Sequence, residues 1–121
     1  MNQAQIPSVD VLEAERRRTD PDRPAILLDV REPNEFAEAR VPGAVLVPMS
    51  RFQVEAERLP ADRQLLVFCR TGSRSAAVTN YLVQRGVDAV NVAGGIVAWS
   101  AAGLEVVGGT PEPGEGDLPP A

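Results

Sequence analysis

The chain contains no histidine and no lysine, and its single cysteine is Cys69. Without an imidazole, Cys-His dyads and Ser-His-Asp triads are excluded, because each needs that base to take a proton from its nucleophile. Zinc centres of the Cys/His type fall with them, since one thiolate and no imidazole cannot fill a tetrahedral shell, and no metal is expected. One cysteine forms no internal disulfide, so an oxidising compartment would give this fold no staple and would expose a reactive thiol to capping. All 12 basic residues are arginines, set against 17 acidic residues for a formal net charge of −5, which leaves no basic field for nucleic acid or an anionic membrane. Part of that acidity is local: Glu105, Glu112, Glu115 and Asp117 lie near the C-terminus with no basic residue among them. No apolar run approaches membrane-spanning length, and Met1 to Pro7 has neither the basic start nor the apolar stretch of a secretory signal. Cytoplasmic residence is the expectation these absences leave.

What remains is an ordinary globular composition, 44% hydrophobic and 24% charged over 121 residues, enough for one domain with a single core. Apolar runs of strand length occur at Ala25 to Val30, Ala44 to Val47, Leu65 to Phe68 and Val87 to Val92. Helical patterns alternate with them. Ser8 is read as the cap of a first helix with Val9, Leu12 and Val11 turned inward, and Glu32-Pro33 opens a short helix anchored by Phe36. A longer helix is expected from Ser73 to Arg85, with Ala77, Val78, Tyr81 and Leu82 on one face and Gly86 beyond its end. Ile96, Val97 and Trp99 make a last short helix stopped by Gly103, with Trp99 read as a core anchor. Strands alternating with helices specify an α/β fold with a mainly parallel sheet. The expected organisation is an N-terminal arm (1–7), a folded domain (8–107) and a disordered Gly/Pro/acidic tail (108–121).

The stretch around which the chain is organised is Leu65-Leu66-Val67-Phe68-Cys69-Arg70-Thr71-Gly72-Ser73-Arg74-Ser75. It delivers a thiol to the carboxyl end of a strand, beneath the start of a helix. Free N–H groups there, the positive end of the helix dipole and neighbouring arginines all favour thiolate over thiol. Gly72 permits a positive φ, so that successive N–H groups can turn inward as a nest for an anion. Arg70 and Arg74 add charge. The competing reading is a small buried hydrophobe, the commonest fate of a lone cysteine. If Cys69 reacts, its activation comes from amides, dipole and arginine, which suits a preformed thiolate attacking an electrophilic sulfur or phosphorus.

Four motifs, in order, then carry a family resemblance: Leu28-Asp29-Val30-Arg31-Glu32, Val41-Pro42-Gly43-Ala44, Cys69 to Ser75, and Gly94-Gly95-Ile96-Val97-Ala98-Trp99 with Ala102-Gly103-Leu104. The chain resembles a single-domain rhodanese, a thiosulfate sulfurtransferase-like protein. The resemblance implies a three-layer α/β/α domain with a central, mainly parallel sheet of four to five strands. It further implies Cys69 as the catalytic residue, Arg70, Thr71, Gly72, Ser73 and Arg74 as substrate-binding, and Asp29, Arg31 and Ser75 as supporting residues, with no cofactor. The family pattern commonly has His where Arg40 stands, a difference that touches local packing.

Three functions remain. Sulfur transfer would take a sulfane sulfur from thiosulfate or a similar anionic donor as a Cys69 persulfide and pass it to a thiol, cyanide or a sulfur-accepting protein. A non-catalytic persulfide carrier or protein-interaction module would need the same thiolate. Phosphatase or arsenate-reductase chemistry would use a Cys-x5-Arg loop in related folds, but here four residues separate Cys69 from Arg74, a tighter cradle matched to one sulfur atom.

Overall fold

The computed structural model describes residues 6–119. Its sheet has five parallel strands in the order β1-β5-β4-β2-β3: β1 (Ser8–Val9), β2 (Ile26–Asp29), β3 (Val45–Leu46), β4 (Leu65–Phe68) and β5 (Ala89–Val92). The helices are α1 (Val11–Arg18), α2 (Pro33–Glu38), α3 (Phe52–Glu55, flanked by 3-10 turns), α4 (Ser73–Gln84) and α5 (Gly95–Ala101). The α/β layering and parallel sheet are as the sequence leads one to expect.

Strands β2, β4 and β5 are buried at every position, as in a parallel sheet covered on both faces. Alternate residues feed two cores. Leu27, Leu66, Phe68, Val90 and Val92 pack with Val11, Ala14, Phe36, Ile96 and Trp99 on one side. Ile26, Leu28, Leu65, Val67 and Cys69 pack with Phe52, Val78 and Leu82 on the other. Trp99 is fully buried, stacked on Phe68 with ring centroids 6.4 Å apart, and its indole N–H donates to the Glu105 carbonyl at 3.2 Å.

From β2 the chain moves outward to β3, whereas from β4 it moves the other way to β5, so connections diverge between β2 and β4. Beyond the carboxyl ends of two such neighbouring strands a crevice opens, the usual ligand position in open α/β sheets. The loops after β2 and β4 carry Asp29 to Glu32 and Cys69 to Arg74.

Local expectations are corrected at several points. Ser8 is not a helix cap; it pairs with Asn91 in the sheet, and Asp10 caps α1 by accepting the Glu13 N–H at 2.8 Å. One strand residue pair shifts the helix phase, so Val11 and Ala14 are buried and Leu12 is exposed. On α4 the buried face is Ser75, Ala76, Val78, Thr79 and Leu82, with Ala77 exposed and Tyr81 half-buried, because the helix is tipped toward β5 as well as β4. Val97 is likewise exposed.

The expected arm (1–7) falls for residues 1–5 outside the described residues; Ile6 is buried and the Pro7 carbonyl accepts the Asn91 N–H. The tail departs from expectation: residues 108–119 lie along the edge of β3 and over α2. The Leu46 N–H donates to Gly116 O at 2.8 Å, Gly109 N–H donates to Ala37 O at 2.9 Å, and Leu118 packs on the second core. Arg40, buried at 5% exposure, pairs with Glu115 and donates to the Gly109 carbonyl at 2.6 Å. Composition argued for disorder because it measured what the segment could bury by itself; an unpaired sheet edge and a buried guanidinium supply the partners instead.

Candidate active site

Apolar β4 ends at Cys69, and the turn that follows is shaped by glycine. Gly72 has φ 110° and stands at the start of α4, with Gly94 N at 3.3 Å from where a Cβ would lie. That turn points amides at the sulfur: the Gly72 N–H donates to Cys69 Sγ at 3.1 Å and the Ser75 N–H at 3.4 Å. Burial alone raises the thiol's pKa, but donors from the Ser75 hydroxyl and the Ser75, Gly72 and Thr71 amides outweigh it, and the net movement is below the ordinary value. Cys69 is therefore 1% exposed yet surrounded by donors, which is not the environment of an inert packing cysteine.

The other side of the same peptide chain is held by α5. Gly95, at φ 57°, lets the helix N-terminus meet the loop, so Ile96 N–H donates to the Cys69 carbonyl at 2.9 Å and Val97 N–H to the Arg70 carbonyl at 3.1 Å. With those carbonyls fixed outward, the following amides face inward. Two orphan donors of one helix thus orient the donors of the next.

Side chains brace this backbone. Asp29 is fully buried at the end of β2 and receives Arg31 Nε at 3.0 Å, Arg31 Nη2 at 2.7 Å and the Arg31 N–H at 3.0 Å; Arg31 also donates to Ala39 O. Burial raises the Asp29 carboxyl's pKa, and the Arg31 guanidinium limits the rise. The Ser75 hydroxyl, with one hydrogen to share between the Cys69 sulfur and Asn91 Oδ1 at 2.6 Å, and Asn91 Nδ2, which faces Gly72 O at 3.5 Å, tie β5 to both ends of the loop.

The seven-residue motif is thus brought together, with Thr71, Ser73 and Arg70 exposed at its surface and Arg74 half-buried. Asp29 and Arg31 stand behind it as an ion pair. Two participants were not foreseen. Asn91 is a buried polar residue between Val90 and Val92, a signal available in the sequence. Glu35 of α2 takes Arg74 in a two-point ion pair, Nη1 to Oε1 at 2.7 Å and Nη2 to Oε2 at 2.8 Å. Arg74 holds the Glu35 carboxyl down at a pKa of about 2, and the Glu35 charge raises that of Arg74. Glu35 is legible in sequence only as the third residue of a capping box with Glu32.

Comparison with known proteins agrees with this geometry. A sulfurtransferase of Allochromatium vinosum is 39% identical over 83 residues, covering 68% of this chain and 78% of its own. A rhodanese-related protein of Thermoplasma volcanium superposes with TM-score 0.77 at 31% identity, over 84% of this chain and 97% of that one. A rhodanese-like domain protein of Staphylococcus aureus gives 0.73 at 34% identity, over 83% and 97%. No helix among the described residues is long and apolar enough to cross a membrane. Residues 8–102 match the Rhodanese-like domain, and with the motif loop, the five-stranded sheet and these relatives the chain belongs to the rhodanese-like family.

Proposed function

We propose that this domain transfers a sulfane sulfur through a persulfide on Cys69, acting as a thiosulfate sulfurtransferase-like enzyme. The Cys69 thiolate attacks the outer sulfur of thiosulfate; a Cys69 S–S bond forms, the donor's S–S bond breaks, and sulfite leaves with the electron pair of the broken bond. A thiol or cyanide then attacks the outer persulfide sulfur, taking it as a new persulfide or as thiocyanate, and the thiolate returns. No proton has to be removed from Cys69 in the first step, and in the second the acceptor attacks as cyanide or as a thiolate already ionised in solution, which agrees with a sequence that contains no histidine.

The observation that carries this reading is the pair of amides, Gly72 and Ser75, converging on one sulfur at 3.1 and 3.4 Å. Donors arranged in this way stabilise the thiolate before attack and the persulfide anion after it. Arg70, exposed on the loop, attracts an anionic donor; Arg74 anchors the last turn of the loop, and Asp29, Arg31 and Ser75 hold its frame. A sulfur-accepting protein is an acceptor compatible with the same chemistry. A lone thiolate of this kind suits a reducing compartment such as the cytoplasm.

Intact mass measurement after incubation with thiosulfate tests the proposal. A gain of one sulfur on the native protein, none on Cys69→Ser, and loss of that gain on adding cyanide or a thiol is the expected result. No gain on the native protein refutes it, and vigorous hydrolysis of an aryl phosphate would favour phosphoryl chemistry instead.

A further inference from the structure

The Glu35–Arg74 pair bears on which donor the thiolate meets, an inference that rests on the sulfur-transfer reading above. Three guanidiniums, of Arg31, Arg70 and Arg74, and three carboxylates, of Asp29, Glu32 and Glu35, come from the segments that follow β2 and β4. Asp29 takes Arg31, Glu35 takes Arg74 at both nitrogens, and Glu32 lies nearby, accepting from the Ser50 hydroxyl at 2.7 Å. Among the described residues Arg70 makes no ion pair. The buried Asp29–Arg31 pair cancels itself behind the loop; with the Cys69 thiolate included, the remaining groups carry one net negative charge, and Arg70 is the guanidinium left to meet an incoming anion.

We propose that Glu35 is a donor-selectivity residue: by occupying Arg74 it slows reaction with doubly charged donors such as thiosulfate relative to hydropersulfides carrying at most one charge, both remaining donors. The step balances for such a donor. The thiolate attacks the outer sulfur of R–S–SH, a Cys69 S–S bond forms as the R–S–S bond breaks, the proton stays on the transferred sulfur, and R–S⁻ leaves with the electron pair. The thiosulfate reaction instead brings a dianion to a thiolate and must release another dianion. Its approach depends on local positive charge far more than the hydropersulfide's does, and Glu35 removes half of what the two loop arginines offer.

Neutralising Glu35 gives the test. Glu35→Gln keeps an acceptor for the Glu32 N–H, so the start of α2 retains its cap, while Arg74 is released. Cys69 persulfidation is followed by mass with thiosulfate and with 2-hydroxyethyl hydropersulfide, at low and high salt, for the native protein, Glu35→Gln and Glu35→Ala, each checked for folding by circular dichroism. The ratio of the thiosulfate rate to the hydropersulfide rate is expected to rise about 5-fold in both variants at low salt, the size of one partly screened charge at a few ångströms, and to fall back at high salt. A mass gain from both donors with an unmoved ratio overturns the selectivity role while leaving sulfur transfer standing. No gain from either donor overturns both.

Discussion

Gly95→Ala separates a backbone-built site from one built of side chains. A Cβ on Gly95 would stand 2.5 Å from the Arg70 carbonyl oxygen, 2.6 Å from its carbon, and nearer still to the Cys69 carbonyl oxygen. All three are main-chain atoms and none can swing aside, so α5 must retreat from the loop. Retreat breaks the Ile96 and Val97 hydrogen bonds to Cys69 O and Arg70 O, at about 1 kcal/mol each, and alanine at φ 57° adds about 1 kcal/mol of backbone strain, together about 3 kcal/mol. That is a large part of the ~5–15 kcal/mol that holds a domain of this size together. The carbonyls released by α5 no longer fix the opposite face of the loop, so the amides turn off Sγ and the thiol pKa moves up toward its unperturbed value. Urea unfolding and the pH dependence of Cys69 alkylation by iodoacetamide read the two effects separately. Gly86→Ala is the control: Gly86 also has positive φ, 79°, but open space where the methyl would go, so it should cost about 1 kcal/mol and leave the alkylation profile unchanged. A Gly95→Ala protein with native urea midpoint and native alkylation profile would refute the claim that α5 orients the loop.

Two further outcomes are expected. Ser75→Ala removes the hydroxyl that helps hold the thiol below its ordinary pKa, so the midpoint of the alkylation-rate profile should move to higher pH, with the plateau rate at alkaline pH retained; a midpoint that stays or falls would contradict that role. Deleting residues 108–121 strips Glu115 and the Gly109 carbonyl from the buried Arg40 and should cost about 3 kcal/mol in thermal or urea unfolding, whereas Glu115→Gln, which keeps an acceptor, should cost less than half of that; equal stability of the truncated and full chains would show the tail to be an ornament.

The parts of this molecule that could be read in advance are those in which a residue's own chemistry, or its near neighbours, decide the outcome. Runs such as Leu65 to Phe68 become buried strands because no polar residue interrupts them. The thiol sits at a strand end because a polar, glycine-containing loop follows at once. Asp29 and Arg31, two residues apart, form the ion pair expected of them. Errors begin where a distant partner decides. Ser8 has a good helix-capping side chain, but the edge of β5 claims it first, and Asp10 does the capping. Residues 108–119 have too little apolar surface to order themselves, yet Arg40 and the β3 edge, some seventy positions earlier in the chain, order them.

The same division runs through the site. The place of Cys69 beneath a helix start, with amides turned to its sulfur, was legible because that arrangement is local in sequence. The Glu35–Arg74 ion pair was not, since the two residues are 39 positions apart and meet only because β2 and β4 are neighbours in the sheet. A catalytic imidazole would have marked its own partners by demanding a base and an orienting carboxylate. Here the groups that face the sulfur are the Ser75 side chain and main-chain amides, which every residue but proline possesses, and the amides' direction is set by Gly72 and by Gly95, on an element that follows the cysteine by more than two dozen residues. Substitutions at exposed Thr71 or Ser73 should therefore matter less than a single methyl group at Gly95, even though the former lie in the motif and the latter touches the thiol only through the backbone. The functional signature of such a site is the placement of its glycines relative to helix ends, with the side chains around it left to choose the charge of what comes in.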